Sequence, residues 1–127
     1  MHSKLRWLAL LTLSCVALGC GKDRVITLKA GGAASGTIRY QLGAEDVTPG
    51  DTPLPWSKTT VHSDRSVTSA RINVSTRGGP SAWCEVWIDD QLCDREDEGD
   101  WCSCYYDRRK GWSGWPNDDQ SKATRIR

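Results

Sequence analysis

Four cysteines, Cys84, Cys93, Cys102 and Cys104, are the residues whose type and spacing offer the most chemistry. Thiols so placed can build a disulfide framework or hold zinc. Structural zinc sites usually space their cysteines as Cys-x2-4-Cys, which the step from Cys102 to Cys104 does not follow, so disulfides are expected and a metal is not. Four cysteines leave three connectivities open. Other reactive groups are sparse. Beyond the first twenty residues His62 is the only histidine, and no Gly-x-Ser-x-Gly elbow occurs, so no catalytic residue is expected and the chain is read as not an enzyme.

Asp94, Glu96, Asp97, Glu98 and Asp100 could ligate calcium, yet they lack the Asp-x-Asp-x-Asp-Gly order of a calcium loop. They are read as a solvated turn, His62 as an exposed residue at a strand end, and no cofactor is expected. Trp83, Trp87 and Trp101 alternate with the cysteines and so fall opposite the cysteine face. Two readings stand for them: packing beneath a loop or the tail, or an exposed aromatic face for a membrane, a glycan or a protein. On the second, these three residues are the candidate partner-binding surface.

The chain opens with Lys4 and Arg6, then an apolar run from Trp7 to Gly19, then Cys20. Thirteen residues rise only about 20 Å as a helix, too short to span hydrocarbon, and a basic start with small residues near the end is the pattern of a secretory leader. Ala17-Leu18-Gly19-Cys20 is similar to a bacterial lipobox, although Leu is usual where Ala17 stands. Acylation of Cys20 is therefore expected, with ordinary cleavage near Gly19 or a short uncleaved anchor as the other readings. Discarding Cys15 and acylating Cys20 leaves an even number of cysteines, as a disulfide framework wants. The expected location is the extracytoplasmic face of the cell membrane, lipid-anchored, or alternatively secreted.

About 107 residues then remain, enough for one domain whose core alone would be marginal and would gain from disulfides. Losing Lys4 and Arg6 takes the formal charge from +1 to −1, and nothing so near neutrality suggests nucleic acid as a partner. The charge is uneven. Glu85 to Asp100 holds eight acidic residues against Arg95, whereas Arg108 to Arg127 holds six basic residues against Asp118 and Asp119. A solvated edge and a free tail account for this, and so does a tail that contacts anionic lipid or the acidic edge.

These residues must be positioned by strands. Val25 to Leu28 is β-branched, Thr37 to Leu42 alternates with Ile38, Tyr40 and Leu42 on one face, and Trp56 to His62 and Val67 to Val74 read likewise. Gly43 to Pro55, with Pro49, Gly50, Pro53 and Pro55, reads as a loop. Trp83 to Ile88 turns at Asp89-Asp90 and returns through Gln91 to Cys93, a register that pairs Val86 with Cys93. Trp101 to Tyr106 is the last expected strand. About seven short strands argue an all-β, immunoglobulin-like sandwich. The expected organisation is a signal peptide over 1–19, a lipidated tether over 20–24, the sandwich over 25–106 and a basic, poorly ordered tail over 107–127.

Gly36-Thr37-Ile38-Arg39-Tyr40, Pro53-Leu54-Pro55-Trp56-Ser57-Lys58-Thr59 and Cys84-Glu85-Val86-Trp87-Ile88-Asp89, closed by a cysteine near 102 or 104, together resemble the MmpS family of mycobacterial membrane proteins. The resemblance covers roughly residues 25 to 106, and Leu-Pro-Trp-Ser is its most specific piece. It implies a membrane-anchored β-sandwich that acts as an accessory partner of an MmpL transporter exporting lipids or siderophores. It also implies a bridge from Cys84 to Cys102 or Cys104, leaving Cys93 the remaining thiol, and places Trp56 in the sandwich core. The chain departs from the family in its short leader with Cys20, its additional cysteine pair, its Trp-rich last hairpin and its basic tail. The expected function is thus a non-enzymatic accessory or binding module whose partners are the membrane and a polytopic transporter. The alternative is a surface lipoprotein, phage- or prophage-encoded, that blocks a receptor or phage DNA injection.

Overall fold

Alternation of apolar and polar residues sets almost every element of the structure, a computed structural model that describes residues 21–77, 82–98 and 101–114. Nine strands follow in order: β1 (Asp23–Gly31), β2 (Ser35–Leu42), β3 (Glu45–Pro53), β4 (Trp56–Ser63), β5 (Ser69–Ser75), β6 (Trp83–Ile88), β7 (Gln91–Glu96), β8 (Trp101–Asp107) and β9 (Gly111–Gly114). Among the described residues there is no helix. The strands form a four-stranded sheet, β4-β1-β6-β7, and a five-stranded sheet, β3-β2-β5-β8-β9, with antiparallel pairing throughout. Ile26, Leu28, Val86 and Ile88 from the first sheet meet Ile38, Leu42, Ile72 and Val74 from the second, and all are buried. The protein is the all-β sandwich its period-2 patterning requires.

Two strands exceed the expected seven. The first is β3, which occupies the stretch read as a loop from its prolines. It lies at the outer edge of its sheet, where Pro49 and Pro53 can avoid leaving a ladder position empty. A bulge absorbs the irregularity, since Ile38 pairs with Gly50 but Tyr40 with Val47, and Gly50 adopts a φ of 82° that favours glycine.

The second is β9, which corrects the domain boundary at residue 106. Tyr106 pairs with Trp112, whose side chain is fully buried, and the Asp107 carboxylate accepts the backbone N–H groups of Arg109 and Lys110 at 2.7 and 3.0 Å, shaping the turn. Three of the basic residues assigned to the tail, Arg108, Arg109 and Lys110, therefore belong to a β-hairpin. Gly114 lets β9 approach β7 closely, because a Cβ there would stand 2.8 Å from the Cys93 carbonyl oxygen. The leader, Cys20, Trp115 and the rest of the basic tail lie outside the described residues.

Pro53 to Trp56 carries the chain from one sheet to the other. The Leu54 N–H donates to the Ala34 carbonyl at 3.0 Å, and the Leu54–Pro55 bond is cis. Trp56, placed in the core by the resemblance, is half-buried and packs its ring 5.7 Å from that of Tyr40 at the core's edge. His62 is half-buried instead of exposed, with Nε2 3.0 Å from Thr60 Oγ1.

Candidate functional site

Cys102 and Cys104 share the inward face of β8, and each is bonded to a different strand of the opposite sheet. Cys84–Cys102 joins β6 to β8 across 6.0 Å between Cα atoms, and Cys93–Cys104 joins β7 to β8 across 6.3 Å. All four cysteines are fully buried, so both bridges tie sheet to sheet through the core. Among the described residues no cysteine is free, and no three His, Cys, Asp or Glu side chains converge as a metal ion would require.

The β6–β7 hairpin turns on Asp89 and Asp90 as expected, with φ of 51° and 62°, the left-handed pair that a two-residue turn demands. Its register differs from the expected one. Val86 pairs with Asp94 and Trp87 with Leu92, so Cys93 is the additional residue of a β-bulge. The bulge keeps the Cys93 thiol in the core and leaves the Asp94 carboxylate to accept the Ser103 N–H at 2.9 Å.

Burial pushes the Asp94 carboxyl above the usual range, Glu96 adds to the rise, and the Ser103 N–H works against it. The folded chain thus holds this proton more tightly than the unfolded chain does. The charge on Asp94 opposes folding increasingly as pH rises through the carboxyl range and beyond. Asp94→Asn keeps an acceptor for Ser103 without that charge. It is expected to raise the melting temperature at pH 7 to 8, with the gain shrinking toward pH 4. A difference independent of pH in paired melting curves would count against this account.

The three tryptophans do not form one surface, which corrects the expected Trp83/Trp87/Trp101 face. Each points away from the cysteines on its own strand, but β6 and β8 belong to opposite sheets, so their outward sides are opposite sides of the molecule. Trp101 pairs with Asn73 on the five-stranded sheet, where the Arg71 guanidinium lies 4.3 Å from its ring centroid. Trp83 and Trp87 remain together on the four-stranded sheet.

There the two indoles flank Glu85, which their packing helps to bury. Trp87 Nε1 donates to the Glu85 carboxylate at 3.2 Å, Arg95 pairs with the same carboxylate, and Lys29 stands opposite it on β1. Lys29 Nζ lies 4.9 Å from the Trp87 ring centroid, and the Arg95 guanidinium 5.6 Å from that of Trp83. Each indole therefore carries a cation against it. Thr27, Thr59, Val25 and Val61 continue this outer face toward β4, Val25 being 37% and Val61 61% exposed. Alternation along β6 places Glu85 between the two indoles, but sequence reading missed Lys29 and Arg95, which only cross-strand pairing brings to them.

Gly31 fixes one of these rings. It pairs with Trp83, and a Cβ at Gly31 would fall 2.4 Å from Trp83 Cζ2, so the indole lies across the bare backbone. Gly31→Ala is expected to lever the ring outward and cost about 1–3 kcal/mol, the usual range for overpacking. Urea unfolding and a red-shifted tryptophan emission would read both effects.

A second assembly went unseen in the sequence. Arg24, nearly buried at the start of β1, donates Nε to Asp64 at 3.2 Å and Nη1 to Asp89 at 2.7 Å. Trp112 Nε1 donates to Asp64 Oδ1 at 2.9 Å, and the Val25 N–H to Asp89 Oδ1 at 3.0 Å. Burial works to raise the Asp89 carboxyl, but the Val25 N–H and the Arg24 guanidinium outweigh it and hold it below the usual carboxylate range. This network anchors β1, the β4–β5 turn, the β6–β7 turn and β9 at one end of the sandwich.

No family model matches the chain, and no curated protein matches it in sequence. The functional reading therefore rests on these surfaces.

Proposed function

We propose that this chain is an exported binding module, without catalytic activity, held at the outer face of the cytoplasmic membrane by acylation of Cys20. The observation that carries the reading is the outer face of the four-stranded sheet, where Trp83 and Trp87 are stiffened by Lys29, Glu85 and Arg95 and continue into Thr27, Thr59, Val25 and Val61. Aromatic side chains already held in place lose little freedom on binding, and indoles at protein interfaces often carry most of the affinity. The two bridges between the sheets suit an oxidising compartment.

The partner that the resemblance to the MmpS family suggests is a polytopic transporter exporting a lipid or siderophore. Trp101, on the other sheet, takes no part in this face. Replacing Trp83 and Trp87 by alanine is expected to cost at least about 2 kcal/mol of binding, roughly thirtyfold in affinity.

The test places a photoreactive residue at Thr59, with Thr37 on the opposite outer face as control, and identifies what is captured in intact cells. A polytopic transporter captured from Thr59 alone, and lost with the Trp83→Ala/Trp87→Ala variant, supports the reading. Capture of a surface receptor or a phage injection protein overturns the transporter partnership in favour of superinfection exclusion. Equal capture from both faces, or none, overturns the assignment of the surface.

A further inference from the structure

The end of the sandwich where the chain enters from Cys20 is concave and basic. A cleft of about 790 Å3 lies there, and its lining includes Lys22, Arg24, Arg65, Arg108 and Tyr106. Among the described residues that line it Asp64 is the one acidic group, and its carboxylate is already bonded to Arg24 and to Trp112 Nε1. Lys22, Arg65 and Arg108 are exposed, and Arg109 and Lys110 are exposed on the same β8–β9 turn as Arg108. The floor is rigid, since Tyr106 packs its ring 5.8 Å from that of buried Trp112 and Arg24 is fixed by two carboxylates.

We infer that this cleft seats the phosphate headgroup of an anionic phospholipid in the membrane that carries the protein. Gly21 lines the cleft, and it directly follows Cys20. Adjacent Cα atoms are about 3.8 Å apart, so an acyl chain on Cys20 brings the cleft to the level of the headgroups. Each leaflet's polar zone is itself only about 5–8 Å deep. The exposed guanidinium groups of Arg65 and Arg108 and the Lys22 ammonium around one concavity suit phosphate oxygens, and a tyrosine beside them suits the boundary between headgroup and hydrocarbon. The acyl chain supplies attachment, and the cleft supplies orientation. One anchored chain leaves a domain free to tumble, whereas a second contact to the lipid phosphate fixes which side faces the membrane.

The inference rests on the anchored reading of Cys20, and the experiment separates the two. Full-length protein extracted in detergent is mixed with micelles carrying equal amounts of dioleoyl phosphatidylglycerol and dioleoyl phosphatidylcholine, and retained lipid is counted by native mass spectrometry. Phosphatidylglycerol is expected to be retained at least tenfold over phosphatidylcholine. Arg65→Ser and Arg108→Ser should each lower that retention about fivefold, the effect of one cation near an anionic surface, while Arg39→Ser on the outer face of the five-stranded sheet leaves it unchanged. Equal retention of both lipids overturns the cleft assignment, as does an equal loss with Arg39→Ser. Inorganic phosphate displacing phosphatidylglycerol at matched concentration overturns the membrane as the source of the ligand. The same spectra report the mass at Cys20. Selective retention with an unmodified Cys20 removes the anchor and leaves the cleft standing, whereas an acylated Cys20 without selectivity removes the cleft and leaves the anchor.

Discussion

Reduction of both disulfides is expected to lower the unfolding free energy by about 4–6 kcal/mol, most of what a domain this size possesses. Cys84–Cys102 closes 18 residues and Cys93–Cys104 closes 11, each worth about 3 kcal/mol if loop closure in the unfolded chain is the main effect. The two loops interleave along the chain, so the second bridge constrains a chain already shortened by the first, and simple addition is an upper limit. Native-state packing adds to the loss, because all four sulfur atoms sit in the core between the sheets. Urea unfolding with and without reductant measures the sum. Cys84→Ser/Cys102→Ser and Cys93→Ser/Cys104→Ser separate the terms, each expected to cost about 3 kcal/mol. An unchanged midpoint under reducing conditions would show that the sheets hold together without their bridges.

Asp64→Ala is expected to be the most damaging single change away from the cysteines, at about 3–5 kcal/mol. It leaves the almost wholly buried Arg24 guanidinium without one of its carboxylate partners while Asp89 stays beside it, and it removes the acceptor of the Trp112 indole N–H. A buried cation left with less compensation, rather than the lost attraction alone, supplies most of that cost. The double variant Arg24→Met/Asp64→Ala should therefore be less unstable than Asp64→Ala alone, and a double-mutant cycle in urea measures the coupling. Additive costs would mean that the pair is not coupled. Asp89 gives the same network a pH signature. Its lowered carboxyl contributes stability above the unfolded-state value of about 3.9, and that contribution disappears as pH falls through its lower folded value.

Strand existence was legible wherever a face alternated cleanly. Ile38, Tyr40 and Leu42, or Cys84, Val86 and Ile88, each declare one buried side, and the structure places them there. Edges were harder to read. Pro49 and Gly50 deny a central strand but not a bulged outer one, and Gly111 to Gly114 has one large apolar residue, Trp112, so no periodicity announces it. The bulge at Cys93 is likewise invisible to a register argument, because Asp89-Asp90 predicts regular pairing from the turn onward. The candidate face shows the limit most sharply. Alternation along β6 and β8 tells that Trp83, Trp87 and Trp101 point away from the cysteines, but it cannot tell that the two strands belong to different sheets. Arg24 and Asp64 are forty residues apart and read as ordinary surface charges until β1 is set against the turn after β4.

The pairing pattern also bears on how the protein is made. Along the chain the thiols emerge in the order Cys84, Cys93, Cys102, Cys104, and neither native bridge joins neighbours in that order. If the chain is exported as proposed, threading outward from its N-terminus offers an oxidase Cys84 and Cys93 together before either has its true mate. Oxidation in order of emergence gives the wrong isomer, and thiolate attack on that bond is then the route to the native set. On the exported reading proposed above, maturation of this small sandwich favours an envelope that can reshuffle disulfides as well as form them.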